Sequence, residues 1–267
     1  MSLAPATPGA PLRGPHRWLA LLRTLLFAVG AWLFITLFAL AMPLLLPLHL
    51  RQRYAVLTRW SRISLWWLRL TCGLDYRVSG REHIPATGGA VVLSNHQSAW
   101  ETLAFQSIFP PHVWVLKRSL LWIPLFGWCL ALLRPVAIDR GGHSRALRQV
   151  IDQGSERLQD GMWLVVFPEG TRMPPATLGP FNPGGAMLAE RAGVPVVPVV
   201  HDAGSYWPRR GFPIRPGTVH VAIGPPIATA GRKAKEINRL AEAWIGTAQP
   251  HLGGSGEPPA ALRAADG

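Results

Sequence analysis

Hydrophobic residues dominate the first part of the chain and then give way to a different pattern near residue 75. Residues 24–50 contain no Asp, Glu, Lys or Arg, a run of 27 positions between two arginines. A helix needs about 20 apolar residues to cross a bilayer, so this run is long enough. Pro43 and Pro47 break the helix near its end, which leaves both a crossing and a re-entrant path open.

A second apolar stretch, residues 54–74, mixes arginines with tryptophans. Trp60, Trp66 and Trp67 fall within eight positions, in a stretch that also contains Leu, Ile and Arg. This composition is typical of a helix lying in the membrane interface, with its arginines near lipid phosphates. The alternative is a helix packed on a globular domain, but three such large side chains are costly to bury completely.

From Tyr76 onward, apolar strands alternate with amphipathic helices. Strands are predicted at 76–80, 90–94, 113–117, 135–138, 162–167, 195–200 and 218–223, and helices at 98–109, 144–159, 184–192 and 232–248. This alternation predicts an α/β fold with a mixed, largely parallel sheet flanked by helices. We therefore divide the chain into a disordered tail at 1–16, a membrane anchor at 17–74, one α/β domain at 75–250 and a second disordered tail at 251–267.

The charge of the chain indicates an anionic partner. There are 27 Lys+Arg against 14 Asp+Glu, a net charge of +13. Nucleic acid and anionic membrane lipids both fit this surplus. The 12 tryptophans and the apolar N-terminal part favour the membrane, so we expect no nucleic-acid partner. Cys72 and Cys129 lack metal-ligand spacing and are expected to be buried, reduced thiols; we expect no metal and no cofactor.

The stretch VVLSNHQSAWETL, residues 91–103, places a histidine and an acid five residues apart at the end of a predicted strand. His96 falls in the turn before the next helix, and catalytic groups often lie in such turns. An alternative explanation is a capping box, in which Ser98 and Glu101 only satisfy backbone N–H groups at the helix start.

A second polar loop, FPEGTR at 167–172, follows the strand WLVVF. Gly170 permits close approach of a ligand to the backbone, and Arg172 offers a planar fork for an anion. The alternative is an ordinary Pro-Glu-Gly turn with a solvated arginine.

The order of these motifs resembles the 1-acylglycerol-3-phosphate acyltransferases, the lysophosphatidate acyltransferases of the glycerolipid acyltransferase superfamily. The resemblance spans roughly residues 76–226 and rests on four motifs: N-H-x4-E at Asn95, His96 and Glu101; PVAIDR ending in Arg140; FPEGTR at 167–172; and Val194, Pro195, Pro198 and Val199. Lys117 occupies the lysine position of the segment before I-P-x-x-G. A departure occurs at 180–185, PFNPGG, where many members of the family carry a lysine.

The resemblance implies direct acyl transfer in the domain at 75–250. His96 would be the general base that takes a proton from a glycerol hydroxyl, and Glu101 would fix the imidazole tautomer. Backbone N–H groups near Glu169 and Gly170 would hold the oxyanion. The remaining substrate contacts implied are Thr171 and the acceptor-phosphate ligands Arg172, Arg140 and Lys117.

The implied reaction moves an acyl group from acyl-CoA or acyl-carrier protein to the sn-2 hydroxyl of lysophosphatidate, giving phosphatidate. We expect it at the cytoplasmic face of a bacterial inner membrane, on anionic lipids. Two alternatives remain: acylation of another lysolipid or hydroxylated lipid, and a non-catalytic basic module that binds membranes. Arg209 and Arg210 are expected near lipid headgroups. His201 and Asp202, adjacent on one strand, should point to opposite faces and are predicted to be structural.

Overall fold

A mixed β-sheet forms the centre of the fold in the computed structural model, which describes residues 14–139, 142–209 and 212–252. Within these ranges the strands are β1 (Leu74–Ser79), β2 (Val91–Ser94), β3 (His112–Lys117), β4 (Val136–Ile138), β5 (Trp163–Val166), β6 (Val196–His201) and β7 (Gly217–Ile223). Their order is β1-β7-β6-β2-β5-β3-β4, and only the β6–β7 pairing is antiparallel among them. The predicted α/β class with a mixed, largely parallel sheet is confirmed.

Helices cover both faces of this sheet. In chain order they are α1 (Pro15–Leu40), α2 (Met42–Leu45), α3 (Leu50–Cys72), α4 (Trp100–Ile108), α5 (Phe126–Leu132), α6 (His143–Gln159), α7 (Gly184–Ala192) and α8 (Ala234–Ala248). Helices α4, α6, α7 and α8 lie where the sequence pattern predicts them. The short α5 was not predicted, because its seven residues follow a proline inside an apolar run without helical spacing.

The central strands explain the continuous apolar runs of the sequence. Every residue of β2, β5 and β6 is buried, as expected for strands covered on both faces. Strand β2 lies between β5 and β6, with Leu93 opposite Val166 on one side and Pro198 on the other. Because these three strands run parallel, their carboxyl ends, and the loops that follow them, meet at one edge of the sheet.

Helix α1 lies along the domain and packs against it through one face. Its buried residues recur at helical spacing: Ala20, Thr24, Phe27, Gly30, Ile35 and Ala39. Thr24 Oγ1 also accepts a hydrogen bond from the Ile214 N–H at 2.9 Å. The opposite face is exposed and apolar, with Leu22, Leu25, Val29 and Leu40 more than half accessible. By length and composition α1 is able to cross a membrane.

Helix α3 contributes to the hydrophobic core, so the sequence boundary at residue 75 is not a boundary in packing. Leu68 and Cys72 are almost fully buried, and Ser61 Oγ donates to the Leu103 carbonyl at 2.8 Å. The other face exposes Trp66 and Leu70, which keeps the predicted interface contact open on that side. Cys72 and Cys129 are both free and buried.

The predicted tails mostly lie outside the described residues. Helix α1 begins at Pro15, a residue suited to the first helical turn because its missing N–H needs no partner there. The predicted tail at 1–16 therefore overlaps the start of the helix by two residues. Of the predicted tail at 251–267, the structure describes only His251 and Leu252.

Candidate active site

A histidine and a glutamate form a direct pair just beyond the end of β2. His96 lies in the loop and Glu101 in the first turn of α4, and His96 Nδ1 is 2.6 Å from Glu101 Oε1. Since a carboxylate oxygen only accepts, Nδ1 carries the proton of the neutral imidazole and Nε2 keeps a free lone pair. The geometry is therefore that of a general base held by an acid, as the resemblance implies.

Glu101 also satisfies the start of α4. Its Oε1 accepts the N–H groups of Gln97 at 3.1 Å and Ser98 at 2.8 Å, while Ser98 Oγ accepts the Trp100 N–H. The same carboxylate thus makes the helix-start contacts of the capping explanation and the histidine contact that the catalytic explanation requires. The two roles explain why a charged side chain with no exposed surface is tolerated here.

The electrostatic surroundings keep Glu101 ionised. Burial by itself favours the neutral acid, but the electrostatic interaction with His201, the hydrogen bond and electrostatic interaction with His96, and the hydrogen bond from the Ser98 N–H outweigh it, so the pKa of Glu101 lies below its ordinary value. An ionised carboxylate stabilises a positive charge on the His96 ring. The pair is therefore suited to accept a proton at Nε2.

Two contacts from the 167–172 loop hold His96 in place. The Phe167 ring stacks on the imidazole at a centroid distance of 4.2 Å and an interplanar angle of 13°. The His96 N–H donates to Glu169 Oε1 at 2.8 Å, and the Met173 N–H donates to the His96 carbonyl at 2.7 Å. Adjacent parallel strands β2 and β5 bring the two motifs together, because both loops leave the same edge of the sheet.

Glu169 acts through its side chain as a bridge. Besides the His96 N–H, it accepts the Gly179 N–H at Oε2, 3.0 Å away. Burial raises the pKa of Glu169, and the two N–H groups counteract this shift. The Glu169 carboxylate thus joins the loop that contains Gly179 to the loop that contains His96.

The predicted oxyanion donors are only partly available. The Gly170 N–H donates to the Phe167 carbonyl at 3.0 Å, so it is engaged within the loop. Gly170 has φ of 69°, a left-handed conformation that favours glycine. This conformation is the structural reason for a glycine at this position. Because the Gly170 N–H already has a partner, the predicted oxyanion contact now rests on the Glu169 N–H.

An apolar cavity of about 900 Å³ extends from His96 between the N-terminal helices and the sheet. Its walls come mainly from α1, α3, α4, β3, α5 and α6, and include Phe27, Ala31, Leu103, Leu116, Phe126, Leu130 and Val150. Such a volume is in the range of small-ligand sites. An elongated apolar group with a reactive end at His96 matches this arrangement.

The cavity also includes most of the predicted substrate-binding residues. Lys117, Glu169, Gly170, Thr171 and Arg172 all line it together with His96. Arg140 and Arg210 lie outside the described residues, so their predicted roles stay predictions. Arg209 Nη1 donates to the Arg172 carbonyl at 3.2 Å, which places a further guanidinium beside this loop.

Asn182 occupies the point where the sequence departs from the family pattern. Its side chain donates to the Pro168 carbonyl at 2.7 Å, and its own N–H donates to the same oxygen at 2.9 Å. Asn182 therefore secures the 167–172 loop. It also lines the cavity.

Asn95 has a role that the sequence reasoning missed. Its side chain accepts the His201 N–H at 3.1 Å and donates to the His201 carbonyl at 2.9 Å, joining the ends of β2 and β6 beside the His96–Glu101 pair. The only sequence signal was the asparagine of the N-H-x4-E motif itself.

The prediction that His201 and Asp202 are structural agrees with their contacts. The His201 ring donates through Nε2 to the Asn95 carbonyl at 3.0 Å and accepts the Ala203 N–H at Nδ1. Burial lowers the pKa of His201, which fits this neutral form. Asp202 instead accepts the N–H of His220 and contacts its ring. The two neighbours therefore do not form a second dyad.

The fold and this site together define an acyltransferase domain, and a family model described as "Acyltransferase" matches residues 75–202. A 1-acyl-sn-glycerol-3-phosphate acyltransferase of Pseudomonas aeruginosa is 45% identical over 224 residues, covering 83% of this chain and 86% of that protein. The chain belongs to the family of 1-acyl-sn-glycerol-3-phosphate acyltransferases.

More distant relatives agree with this assignment. The human enzyme named 1-acyl-sn-glycerol-3-phosphate acyltransferase alpha is 30% identical and matches 68% of this chain, which spans 65% of that protein. The crystal structure of the 1-acyl-sn-glycerophosphate (LPA) acyltransferase PlsC from Thermotoga maritima superposes with a TM-score of 0.73. Its sequence identity is 29%, and the match covers 87% of this chain and 95% of that one.

Proposed function

We propose that the protein transfers a fatty acyl group from an acyl thioester to the sn-2 hydroxyl of lysophosphatidate, giving phosphatidate. One observation carries this proposal: the His96–Glu101 pair lies at an apolar cavity that also presents Arg172 and Lys117. An acyl chain, a reacting hydroxyl and a phosphate each have a matching group in this one site. The names of the relatives support the same acceptor.

The chemistry follows from the free lone pair at His96 Nε2. Nε2 takes the proton of the acceptor hydroxyl while its oxygen attacks the thioester carbonyl, and the imidazolium is stabilised by Glu101. The tetrahedral intermediate then collapses, and the leaving thiolate takes the proton back from the imidazolium. General-base catalysis of this kind contributes roughly 10² to 10⁴ in rate.

Acceptor recognition rests on charge-assisted hydrogen bonds to the phosphate. Arg172 can bind two phosphate oxygens with its planar fork, and Lys117 adds a second positive charge from the end of β3. We retain Arg140 as a third ligand on the basis of its motif. The phosphate is expected beside Thr171, with the acyl chain in the apolar part of the cavity.

Membrane attachment completes the proposal. Helix α1 holds the domain with one face and exposes large apolar side chains on the other. A full crossing would carry the domain face that packs on α1 into hydrocarbon, where its polar backbone groups would lose water. We therefore favour half-embedding of α1 in the cytoplasmic leaflet of a bacterial inner membrane, with anionic lipids attracted by the net charge of +13.

Two other functions compete with this one. Acylation of another lysolipid is favoured by the lack of the family lysine near Asn182. A non-catalytic, membrane-binding role would need only the basic and apolar surfaces.

Purified protein given labelled acyl-CoA or acyl-carrier protein and a panel of lysolipids tests all three functions, with His96→Ala as the control. We expect phosphatidate from lysophosphatidate, and a loss of about 10² to 10⁴ in His96→Ala with vesicle binding unchanged. Product from a different lysolipid would support the second function. No product from any acceptor, with membrane binding intact, would support the third.

A further inference from the structure

The segment that follows β3 and includes the first residues of α5 presents an unusual surface. Leu120, Trp122, Ile123 and Trp128 are all exposed, with Trp122 80% and Trp128 48% accessible. We call residues 120–128 the apolar ledge. Contiguous apolar side chains of this size on a surface turn mark a site of interaction with another apolar phase.

The backbone of the ledge is compact, so these side chains are held outward. The Gly127 N–H donates to the Ile123 carbonyl and the Phe126 N–H to the Pro124 carbonyl, each at 2.7 Å. A side chain at Gly127 would collide with backbone oxygens of the ledge, and Leu125 has a φ of 63°, which is rare for leucine. The backbone conformation of this turn therefore holds its apolar side chains on the surface.

The ledge also forms part of the cavity wall. Leu120 and Ile123 line the cavity and are exposed, and Trp32 of α1 does both as well, with 56% of its surface accessible. Residues that face the interior and the outside at once lie at an opening. The cavity therefore opens between α1 and the ledge, on the side where α1 is apolar.

We propose that the apolar ledge inserts into the lipid surface beside α1, and that the gap between them is the doorway through which acyl chains pass between bilayer and cavity. Three observations select a lipid surface as the occupant. The ledge lies beside α1, because α5 packs against α1 and because Trp32 of α1 lines the same cavity as Leu120 and Ile123. Its tryptophans suit the headgroup level, and the net charge of +13 favours an anionic lipid surface. The doorway rests on the proposed acyltransferase function, whereas insertion does not.

Insertion is tested with an environment-sensitive fluorophore on the full chain carrying Trp122→Cys. The native cysteines are buried, and labelling of the unsubstituted protein gives the background. Ala243→Cys on α8 is the matched control, because Ala243 is exposed and α8 does not line the cavity. With vesicles of phosphatidylcholine and phosphatidylglycerol, we expect a blue shift and quenching by spin-labelled lipid acyl chains for Trp122→Cys alone.

Two results would overturn insertion. One is an emission spectrum for Trp122→Cys that vesicles leave unchanged. The other is a blue shift without lipid that grows with protein concentration, which would assign the ledge to contact between two copies of the chain.

The doorway is tested with Trp122→Asp, since Trp122 itself does not line the cavity. Burial of one aromatic side chain corresponds to roughly a tenfold or greater change in partitioning, so turnover of vesicle-borne lysophosphatidate should fall by about tenfold. Turnover of short-chain, water-soluble substrates should stay within about twofold, as for other surface substitutions. Equal losses on both substrates would overturn the doorway. Inactivity of the unsubstituted protein on every acceptor would refute the proposed function and leave the fluorescence result standing.

Discussion

The backbone N–H of His96 donates to the side chain of Glu169 at 2.8 Å, so the acid of the FPEGTR loop holds the histidine of the NHQSAWE loop. The two residues are 73 positions apart and meet because β2 and β5 are neighbours. The FPEGTR motif therefore supports His96 structurally, in addition to any contact that it makes with substrate.

This link predicts different outcomes for two substitutions of Glu169. Gln retains one acceptor oxygen, so Glu169→Gln should keep one of the two N–H bonds and lose the other. Glu169→Ala should lose both, at about 1–3 kcal/mol for each buried N–H left unpaired. We expect kcat to fall in the order wild type, Gln, Ala, with the KM for the thioester changing less. Steady-state kinetics measure this, and identical values of kcat for Gln and Ala would contradict the bridge.

A similar pair separates the two roles of Glu101. Glu101→Gln keeps a carbonyl oxygen for the Gln97 and Ser98 N–H groups but removes the charge that stabilises the imidazolium. We expect it to lose about 10² or more in kcat with modest loss of stability. Glu101→Ala should lose activity and stability together, because the helix start is left unpaired. A Gln variant with near-normal kcat would show that the charge is not needed.

The pH dependence of stability follows from the lowered pKa of Glu101. A carboxyl with a lower pKa in the folded than in the unfolded state stabilises the fold fully above the unfolded pKa, and loses that contribution as pH falls through the folded pKa. The stability difference between wild type and Glu101→Gln should therefore be greatest near neutral pH and shrink below about pH 4.5. Urea unfolding in detergent across this range measures the difference. A constant difference would mean that the carboxylate charge does not contribute.

Arg172 should discriminate acceptors by their phosphate. Arg172→Gln is expected to lower kcat/KM for lysophosphatidate by about one to two decades, since a charge-assisted hydrogen bond is worth about 1.5–3 kcal/mol. Arg172→Lys should recover only part of this, because lysine supplies charge without the fork. The loss should shrink for monoacylglycerol, which lacks the phosphate. An equal fractional loss on both acceptors would assign Arg172 to the fold or the transition state.

Asn95 is expected to affect the reaction by positioning the neighbouring His96. Asn95→Ala leaves the N–H and carbonyl of His201 without their side-chain partner, so unfolding should become easier by about 1–3 kcal/mol. Because His96 is the next residue, kcat should fall more than KM rises. Denaturant unfolding and kinetics on the same sample measure both effects. Unchanged kcat with reduced stability would restrict Asn95 to a scaffolding role.

The central strands were predictable because strands buried on both faces appear in a sequence as short continuous apolar runs. Strands β2, β5 and β6 are buried on both faces, and their runs of Val and Leu are unmistakable in the sequence. The local sequence placed His96 and Glu101 at a strand end as candidates, but the capping alternative stayed open until the family resemblance assigned them their roles. Arg172 and Lys117 needed the family resemblance as well, because a charged residue at a turn has many uses.

Other features depend on contacts between distant parts of the chain. The Gly170 N–H donates to the Phe167 carbonyl because of the backbone conformation of this loop. The residue types alone do not tell which carbonyl accepts this hydrogen bond. The packing of α1 on the domain was equally hidden, because its sequence is apolar on every side. Thr24, a weakly polar residue at a buried position, was the available signal for the face that contacts the domain.

The two uses of α1 have a practical consequence. Phe27, Ala31 and Ile35 lie on the helix that carries the exposed apolar face, and they also line the cavity that begins at His96. A shortened chain without α1 would lose one wall of the cavity together with the exposed apolar face that we propose to lie in the membrane. We therefore expect that removing α1 does not give a fully active fragment, and that detergents which separate α1 from the domain lower activity without unfolding the sheet.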